Sequence, residues 1–510
     1  IWYFAHLQAP GLNVAGATLP GLPFVVLGRT ANAAWGFTNT GPDVQDLYLE
    51  QINPADRTQY RTPTGWAAFA TREEVIQVKD RPPLAITVRE TRHGPVLSDG
   101  QRSHARLLNL ERYVIALRWS ALDADNQTVL AGLLMNQADS VDDLIAAGAH
   151  YHSPMQNVVM ADTAGKVAFK AMGKAPLRRA DNDINGVAPA PGWDARYDWD
   201  GWLPYADTPQ SDVPQGWLAT ANQRVAPPDY PYFIGQGWAR PYRFERIQGL
   251  LAAGSQHDVA SMRAIQADQL SLATRTLLPY LRNTTSRHPL AAAAQRELAA
   301  FDSVMRADAA APLIFAAWAD ELTRGLIAPR LGAERFRTLY GKRDFRATVE
   351  AVLQHNDTWW CAPLSCAQQS AAALERALDW LQAHYGDDVA QWRWGAAHPA
   401  ISAHRPFDSV PLLARLFNVA TPTGGDTYTV NVGQYWPGEA LPFASRHAAS
   451  LRVIYDLADL ENSRFIYQTG QSGVVFSPRY RDMRDEWAQV HDRPLRLQPH
   501  EVRHRLTLVP

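Results

Sequence analysis

The side chains of this chain that could attack an electrophile do not lie in a pattern that would activate them. Nucleophilic catalysis pairs a Ser, Thr or Cys with a base that removes its proton. No Gly-x-Ser-x-Gly elbow occurs, and the nearest approach, Gln471-Ser472-Gly473, lacks the spacing of the first glycine. Position 1 is Ile1, which has neither hydroxyl nor thiol. The isolated histidines His93, His398 and His404 are interpreted as structural. The residues alone therefore place no complete catalytic centre in the chain.

Composition indicates an ordinary globular protein. The 510 residues are 46% hydrophobic and 20% charged, which is enough apolar material for a large core. The formal net charge is −2, and because no block of like charge stands out, nucleic acid and anionic membranes are poor candidate partners. No run of 18 or more apolar residues suggests a membrane span. Seventeen Trp and 18 Tyr suit core packing or an apolar substrate pocket.

Hydrophobic periodicity predicts an α+β fold. Alternation at Leu84, Ile86 and Val88 predicts a half-buried strand, and the segments flanking residues 161–165 predict a hairpin. Helical spacing marks the middle of the chain, including residues 257–281, 313–326 and 374–381 before Gly386, a helix stop. Strands are expected again at residues 427–432 and 450–457. The chain is thus predicted to be one domain, 1–510, strand-rich over 1–250, mainly helical over 251–400 and strand-rich again over 401–510.

The only two cysteines, Cys361 and Cys366, lie five positions apart. Two ligands are too few for a zinc site, and the spacing differs from that of a Cys-x-x-Cys redox pair. A small disulfide-closed loop is the favoured interpretation, with two free thiols as the alternative. A disulfide would indicate an oxidising compartment such as the periplasm.

Several ordered motifs carry a resemblance to a known family. The run Trp35-Gly36-Phe37-Thr38-Asn39-Thr40-Gly41-Pro42-Asp43-Val44-Gln45-Asp46 and the late Gly470-Gln471-Ser472-Gly473 resemble the penicillin acylase family of N-terminal-nucleophile amidohydrolases. The resemblance implies an αββα sandwich of two antiparallel β-sheets with a helical insertion. It also implies an exported, periplasmic or secreted enzyme that processes itself into a small (alpha) chain and a large (beta) chain led by a catalytic serine. By the family's spacing, this chain begins about 30 residues after that serine and is expected to be inactive as written.

The resemblance also suggests residues that stabilise the transition state. The backbone N–H of Asn39 and the side-chain amide of Asn222 correspond to the family's two donors to the oxyanion. Such donors act most strongly on the charge that develops during the reaction. Arg243 matches an arginine that would orient the catalytic Asn and the substrate, and it is preferred over Arg246, one helical turn later.

A calcium site and an acyl pocket are implied in the same way. Asp43, Gln45 through its carbonyl, and Asp46 resemble the family's calcium ligands, and oxygen ligands suit Ca²⁺. A further carboxylate expected after Asn222 has no clear equivalent, and another ligand belongs to the small chain. Leu27 and Phe37 correspond to positions that line the acyl pocket. No organic cofactor is expected.

The predicted function is hydrolysis of a linear amide through an acyl-enzyme. Candidate substrates are β-lactam side chains, N-acyl homoserine lactones and other lipidic amides, which connect to antibiotic metabolism or quorum quenching. The alternative is a catalytically dead binding protein that keeps the acylase fold and pocket. A carbohydrate-active module would suit the Trp content but lacks a defensible carboxylate pair.

Overall fold

A computed structural model describes residues 2–211, 216–341, 345–497, 502 and 504–508. The chain divides into two compact units, Ala5–Ala239 and Ile1–Phe4 with Arg240–Pro510. Helices and antiparallel sheets occur together, which confirms the predicted α+β class. Among the described residues, no helix has the length and apolar character needed to cross a bilayer.

Strands are the main regular elements of residues 3–211. The strands are β1 Tyr3–Ala9, β2 Leu12–Thr18, β3 Leu27–Arg29, β4 Ala33–Asn39, β5 Gln45–Gln51, β6 Gln59–Thr62, β7 Gly65–Ala68, β8 Ala70–Ile76, β9 Leu84–Thr91, β10 Gly94–Pro95, β11 Tyr113–Trp119, β12 Gln156–Asp162, β13 Val167–Met172, β14 Pro176–Arg178, β15 Ala190–Pro191, β16 Trp199–Trp202 and β17 Gln210–Ser211, and the helices are α1 Thr128–Met135 and α2 Val141–Gly148.

A seven-stranded sheet, in the order β1-β2-β3-β4-β12-β13-β17, forms the centre of this unit. The hairpin predicted around residues 161–165 is confirmed as β12 and β13, which pair antiparallel. Because side chains alternate along a strand, Trp35 and its partner Met160 share one face of the sheet. That face packs against α2 through Leu144, and the apolar contact fixes the position of β4.

Strand β9 confirms the strand predicted from the alternation at Leu84, Ile86 and Val88, but its burial differs from the prediction. It pairs with β8 in a small sheet of three strands. Leu84 and Ile86 are exposed. The alternation of apolar residues therefore predicted the strand correctly, but it did not predict which side chains are buried.

Strand β5 is buried on one face although that face carries charge. It lies between β11 and β15, and its alternate residues Asp46, Tyr48 and Glu50 are all buried. Buried carboxylates need partners because desolvation of a charge costs several kcal/mol, on the order of the stability of a domain. The partners of Asp46 are described with the site below.

The second unit is mainly helical, with short strands toward its end. The helices are α3 Tyr242–Ala252, α4 Val259–Gln266, α5 Leu272–Arg282, α6 Ala291–Ala299, α7 Ala311–Leu331, α8 Ala333–Leu339, α9 Arg346–Gln354, α10 Thr358–Cys361, α11 Cys366–Tyr385, α12 Trp394–Ala397, α13 Pro411–Phe417 and α14 Arg484–Ala488, and the strands are β18 Pro399–Ser402, β19 Val419–Pro422, β20 Gly433–Gln434, β21 His447–Ala448, β22 Leu451–Ile454, β23 Arg464–Tyr467 and β24 Arg493–Pro494.

Helices α7 and α11 form the core of this unit, as their periodicity predicted. Trp318 and Leu322 of α7 and Leu374 and Leu378 of α11 are fully buried in one cluster. Helix α11 begins at a capping box in which Ser365 and Gln368 satisfy each other's backbone N–H groups. It ends before Gly386, whose φ of 82° confirms the predicted helix stop.

The strand predicted at residues 427–432 is wrong. The segment forms turns because side chains take the backbone hydrogen bonds that a ladder would need. The Tyr428 N–H donates to Asp426 Oδ1 at 2.7 Å, and the Asp426 N–H donates to Thr429 Oγ1 at 2.8 Å. The strand predicted at residues 450–457 is present in shorter form as β22.

A disulfide joins Cys361, the last residue of α10, to Cys366, the first of α11. Both cysteines are buried. The bridge spans five positions, so the closed loop is short and the stabilisation in the chain-entropy model is modest, about 2 kcal/mol.

We expect protein made in an oxidising compartment to yield a cross-linked 361–366 peptide by mass spectrometry without reduction. The double change Cys361→Ser with Cys366→Ser should lower the free energy of unfolding by about 2 kcal/mol in a urea titration. Alkylation of both thiols in native, non-reduced protein would contradict the bridge.

Candidate active site

The structure brings Asn39 and Asn222 together, although 183 positions separate them. Asn39 is the last residue of β4 and is exposed, and Asn222 lies in a loop of the same compact unit. The Asn222 Nδ2 group donates a hydrogen bond to the Asn39 carbonyl oxygen at 2.9 Å. The side-chain amide and the Asn39 backbone, the two groups suggested for the oxyanion, therefore lie at one place.

The register of β4 directs the Asn39 N–H away from β12. The Thr40 N–H donates to the Met155 carbonyl at 3.2 Å, and Asn39 pairs with Gln156. In an antiparallel pair, the backbone groups of successive residues point to opposite edges of the strand. The N–H of Asn39, which precedes Thr40, therefore points away from β12. On the edge that faces away from β12, β3 pairs with Ala34 and Trp35 and does not reach Asn39. The orientation suits a donor to a ligand.

Asn222 has a backbone conformation that few side chains adopt. Its φ is 65°, in the left-handed region, which costs an L-residue other than glycine on the order of 1 kcal/mol. Neighbouring hydrogen bonds hold it there: the Ala239 N–H donates to the Asn222 carbonyl at 3.0 Å, and the Ala221 N–H donates to Gln223 Oε1 at 2.7 Å. These hydrogen bonds hold the backbone from which the amide side chain extends.

A buried polar network, which the sequence did not reveal, links this loop to the sheet. The Thr38 hydroxyl donates to the Thr220 hydroxyl at 3.0 Å. Asn157 is fully buried; its amide donates to Thr38 Oγ1 at 3.3 Å, and its carbonyl accepts from the Thr40 hydroxyl at 2.9 Å. The network links β4 and β12 to the 220–222 loop, and it thereby helps to hold the loop that carries Asn222. The only sequence signal was that Asn157, a polar residue, directly precedes the apolar run of β12.

Leu27 and Phe37 lie on opposite faces of the seven-stranded sheet. Gly28, which follows Leu27, pairs with Trp35, and Trp35 shares its face with Phe37. Phe37 packs against the core between the sheet and the helices. Leu27 is half-buried and points to the face of Thr38. The structure therefore does not place the two side chains side by side, and the acyl pocket stays a prediction.

Arg243 and Arg246 lie about one helical turn apart on α3, in the second unit. Arg246 forms a two-pronged ion pair with Asp268, with nitrogen–oxygen distances of 3.0 and 2.6 Å. Arg243 is partly buried, and burial lowers the pKa of its guanidinium. Arg246 is thus paired within its own unit, and the orienting role suggested for Arg243 stays a prediction.

The residues suggested for calcium hold an arginine instead. Arg178 donates to both carboxylate oxygens of Asp46, at 2.6 and 3.2 Å, and to the Asp43 carbonyl at 3.0 Å. The Trp199 indole N–H donates to Asp46 Oδ2 at 2.6 Å. The side chain of Gln45 is exposed on β5.

The local charge balance agrees with this arrangement. Burial raises the pKa of Asp43, and Asp46 raises it further, whereas Arg178 lowers it. A calcium ion at these residues would have to displace the buried guanidinium. The residues present thus fit an arginine better than a calcium ion.

His93 and His398, which are buried, and the half-buried His404 have structural partners. His93 Nδ1 lies 2.7 Å from Glu50 Oε1, and its Nε2 lies 3.0 Å from Asp198 Oδ1. His398 Nδ1 contacts the Phe443 carbonyl, and burial lowers its pKa to about 4. The ring of His404 stacks on Phe407.

One sequence motif that is typical of a catalytic site was not identified from the sequence. Residues 500–504, His-Glu-Val-Arg-His, match the His-Glu-x-x-His pattern of zinc hydrolases, which needs a helix to bring both histidines to one face. Val502 and His504 lie in neither helix nor strand, and the other three positions lie outside the described residues. The string therefore carries no site assignment.

Comparisons with known proteins agree on one family. The penicillin amidase family model matches residues 1–504. An acyl-homoserine lactone acylase of Pseudomonas fluorescens is 30% identical over 100% of this chain and 64% of its own length. A penicillin acylase 2 proenzyme of a Pseudomonas species is 30% identical over 95% of this chain and 61% of its own length. The chain thus spans less than two thirds of these relatives.

A solved structure shows the same fold. The thermostable penicillin G acylase from Alcaligenes faecalis superimposes with a TM-score of 0.73 at 21% identity, covering 100% of this chain and 94% of that chain. The likeness confirms the predicted N-terminal-nucleophile hydrolase fold.

Proposed function

The chain belongs to the penicillin amidase family, and from that premise we propose that it is the large chain of an amidohydrolase that cleaves a linear acyl amide. The hydrogen bond of 2.9 Å from the Asn222 amide to the Asn39 carbonyl carries the proposal, because it holds this neutral donor beside the backbone N–H of Asn39, the proposed second donor. Neutral amides need no protonation, so they can stabilise an oxyanion over a wide pH range.

In the proposed reaction, the hydroxyl of a serine at the N-terminus of the mature large chain adds to the amide carbonyl carbon. The α-amine of that serine, with a pKa near 8, takes up the hydroxyl proton. The carbonyl oxygen becomes an oxyanion that accepts hydrogen bonds from the Asn39 N–H and the Asn222 amide. The C–N bond then breaks, the proton passes to the leaving amine, and an acyl ester remains. Water hydrolyses the ester and restores the serine.

The proposed substrate carries an apolar acyl group. Leu27 points to the face of the sheet that bears Thr38, and an apolar side chain there favours a hydrocarbon over a charged group. The names of the relatives, acyl-homoserine lactone acylase and penicillin acylase, suggest the two amide classes to assay.

The proposed assembly is a heterodimer with the small chain of the same precursor, in the periplasm or outside the cell. The chain covers 64% of the length of one acyl-homoserine lactone acylase, which leaves length for a second chain of the same precursor. The disulfide of Cys361 and Cys366 supports an oxidising compartment. The test is expression of the full precursor: acid release from an acyl-homoserine lactone or penicillin supports the proposal, and binding without turnover favours the alternative of a binding protein.

Residues 1–510 expressed as written should hydrolyse no amide, because Ile1 lacks a nucleophilic atom and the buried His93 and His398 contact carboxylate and carbonyl groups. The assay is product release from a chromogenic phenylacetyl amide and from a long-chain acyl amide, against a buffer blank. Release above the blank that an internal Ser→Ala change abolishes would refute this expectation, as would release that a chelator abolishes.

A further inference from the structure

Two loops of the Ala5–Ala239 unit bring a histidine against two aspartates. Asp123 and Asp125 lie between β11 and α1, and His152 lies just before β12. One ligand atom from each of the three lies within 4.8 Å of the others. The backbone holds this juxtaposition, since the N–H groups of His152 and Ser153 both donate to the Thr128 hydroxyl at 3.1 Å.

The imidazole of His152 points into this group without a hydrogen bond. His152 is 1% exposed, and its Nε2 atom is buried and has no hydrogen-bond partner. The nearest carboxylate oxygen, Asp123 Oδ2, lies at 3.5 Å, which is too long for a normal hydrogen bond. A buried polar atom without a partner costs on the order of 1–3 kcal/mol, so a ligand between these atoms would relieve a real penalty.

We propose that Asp123, Asp125 and His152 bind one divalent transition-metal ion of the zinc class. An imidazole nitrogen with two carboxylates is a zinc donor set, whereas calcium prefers oxygen alone. Zinc bonds of about 2.0–2.2 Å place tetrahedral ligand atoms about 3.3 Å apart, so the group must contract slightly. Asp125 can make that movement because its side chain is 72% exposed. Water completes the coordination.

The two neighbouring cationic side chains, Arg118 and Lys174, do not prevent a metal ion from binding. Arg118 binds the other oxygen of Asp123, Oδ1, so Oδ2 stays directed at His152. Lys174 Nζ lies 3.5 Å from Asp125 and competes with the ion for that carboxylate. It also lies 5.4 Å from the centre of the Trp202 ring, a second partner to which it can move.

The test is a Zn²⁺ titration of the 510-residue chain against a chromophoric chelator. All variants carry His500→Ala and His504→Ala, because that pair of histidines could bind zinc elsewhere. We expect one ion per chain in the parent, and at least tenfold weaker binding in Asp125→Asn, whose exposed position should leave folding intact. His152→Asn should weaken binding similarly. Lys174→Met should tighten it about tenfold, because it removes the competing charge.

Two matched controls separate the site from adventitious binding. His150→Ala removes a histidine two positions earlier, which contacts Gln127, and Lys166→Met removes a lysine that pairs with Asp142. Both should leave zinc affinity unchanged. Equal affinity in the parent, Asp125→Asn and His152→Asn would overturn the site, and so would failure of Lys174→Met to tighten binding.

Discussion

Asn222→Ala in the processed enzyme should lower kcat by about a hundred- to a thousandfold and change KM far less. The amide donates to the carbonyl oxygen most strongly once that oxygen carries the negative charge of the tetrahedral intermediate. The neutral substrate draws much less on it, so ground-state binding is largely preserved. Steady-state kinetics on an acyl-homoserine lactone and on a penicillin measure both constants.

Because the φ of Asn222 is positive, a second variant is needed to separate the loss of the amide from backbone strain. Alanine at a φ of 65° is strained, whereas glycine adopts that conformation without cost to the folded state. Asn222→Gly therefore removes the amide with little strain and should show the same loss of kcat. Asn222→Asp should be at least as damaging, because a carboxylate repels the developing charge.

Asn39→Ala is the matched control, since its proposed donor is the backbone N–H. The change removes only the hydrogen bond from the Gly41 N–H to Asn39 Oδ1, of 3.0 Å. We expect kcat to fall less than about tenfold. A crippling Asn39→Ala with a nearly silent Asn222→Ala would show that the oxyanion hole is placed wrongly.

The sequence predicted those elements whose stabilising interactions lie within the element itself. The hairpin of β12 and β13 has a turn between two apolar runs, and α11 has both a capping box and a terminal glycine. Both signals lie within the element itself. The failure at residues 427–432 has a local cause too, because Asp426 and Thr429 bind the backbone in place of a neighbouring strand.

The candidate site depends on contacts between distant parts of the chain. Asn39 and Asn222 were suggested by family resemblance, and periodicity alone could not have paired them. The support from Asn157 was not foreseen, because a buried polar residue on a strand does not show in the sequence which loop it will contact.

The calcium suggestion shows a related difficulty. Asp43 and Asp46 have the composition of a cation site, and the sequence does not say which cation neutralises them. In the structure it is Arg178, which is 132 positions beyond Asp46 and lies at the end of another strand. Charge balance was therefore predictable, but the identity of the positive group was not.

Arg178→Met should lower the free energy of unfolding by about 3–5 kcal/mol, because it leaves the buried carboxylate of Asp46 without its cationic partner. The side chains of Arg178 and Asp46 are only 2% and 5% exposed, so water cannot replace the lost contact. Urea titrations of the 510-residue chain measure the change. Arg179→Met is the matched control: the side chain of Arg179 is 50% exposed and pairs with Asp181, so its loss should cost less than about 1 kcal/mol.

The same pair of variants decides between arginine and calcium as the cation at Asp43 and Asp46. If Arg178 neutralises these carboxylates, a chelator should leave the melting temperature of the parent protein unchanged. In Arg178→Met the released carboxylates can accept an oxygen-seeking cation, so millimolar Ca²⁺ should recover part of the lost stability, while Arg179→Met should not respond. A parent protein whose melting temperature falls on chelation and returns with Ca²⁺ would show that the metal, and not the guanidinium, occupies this position.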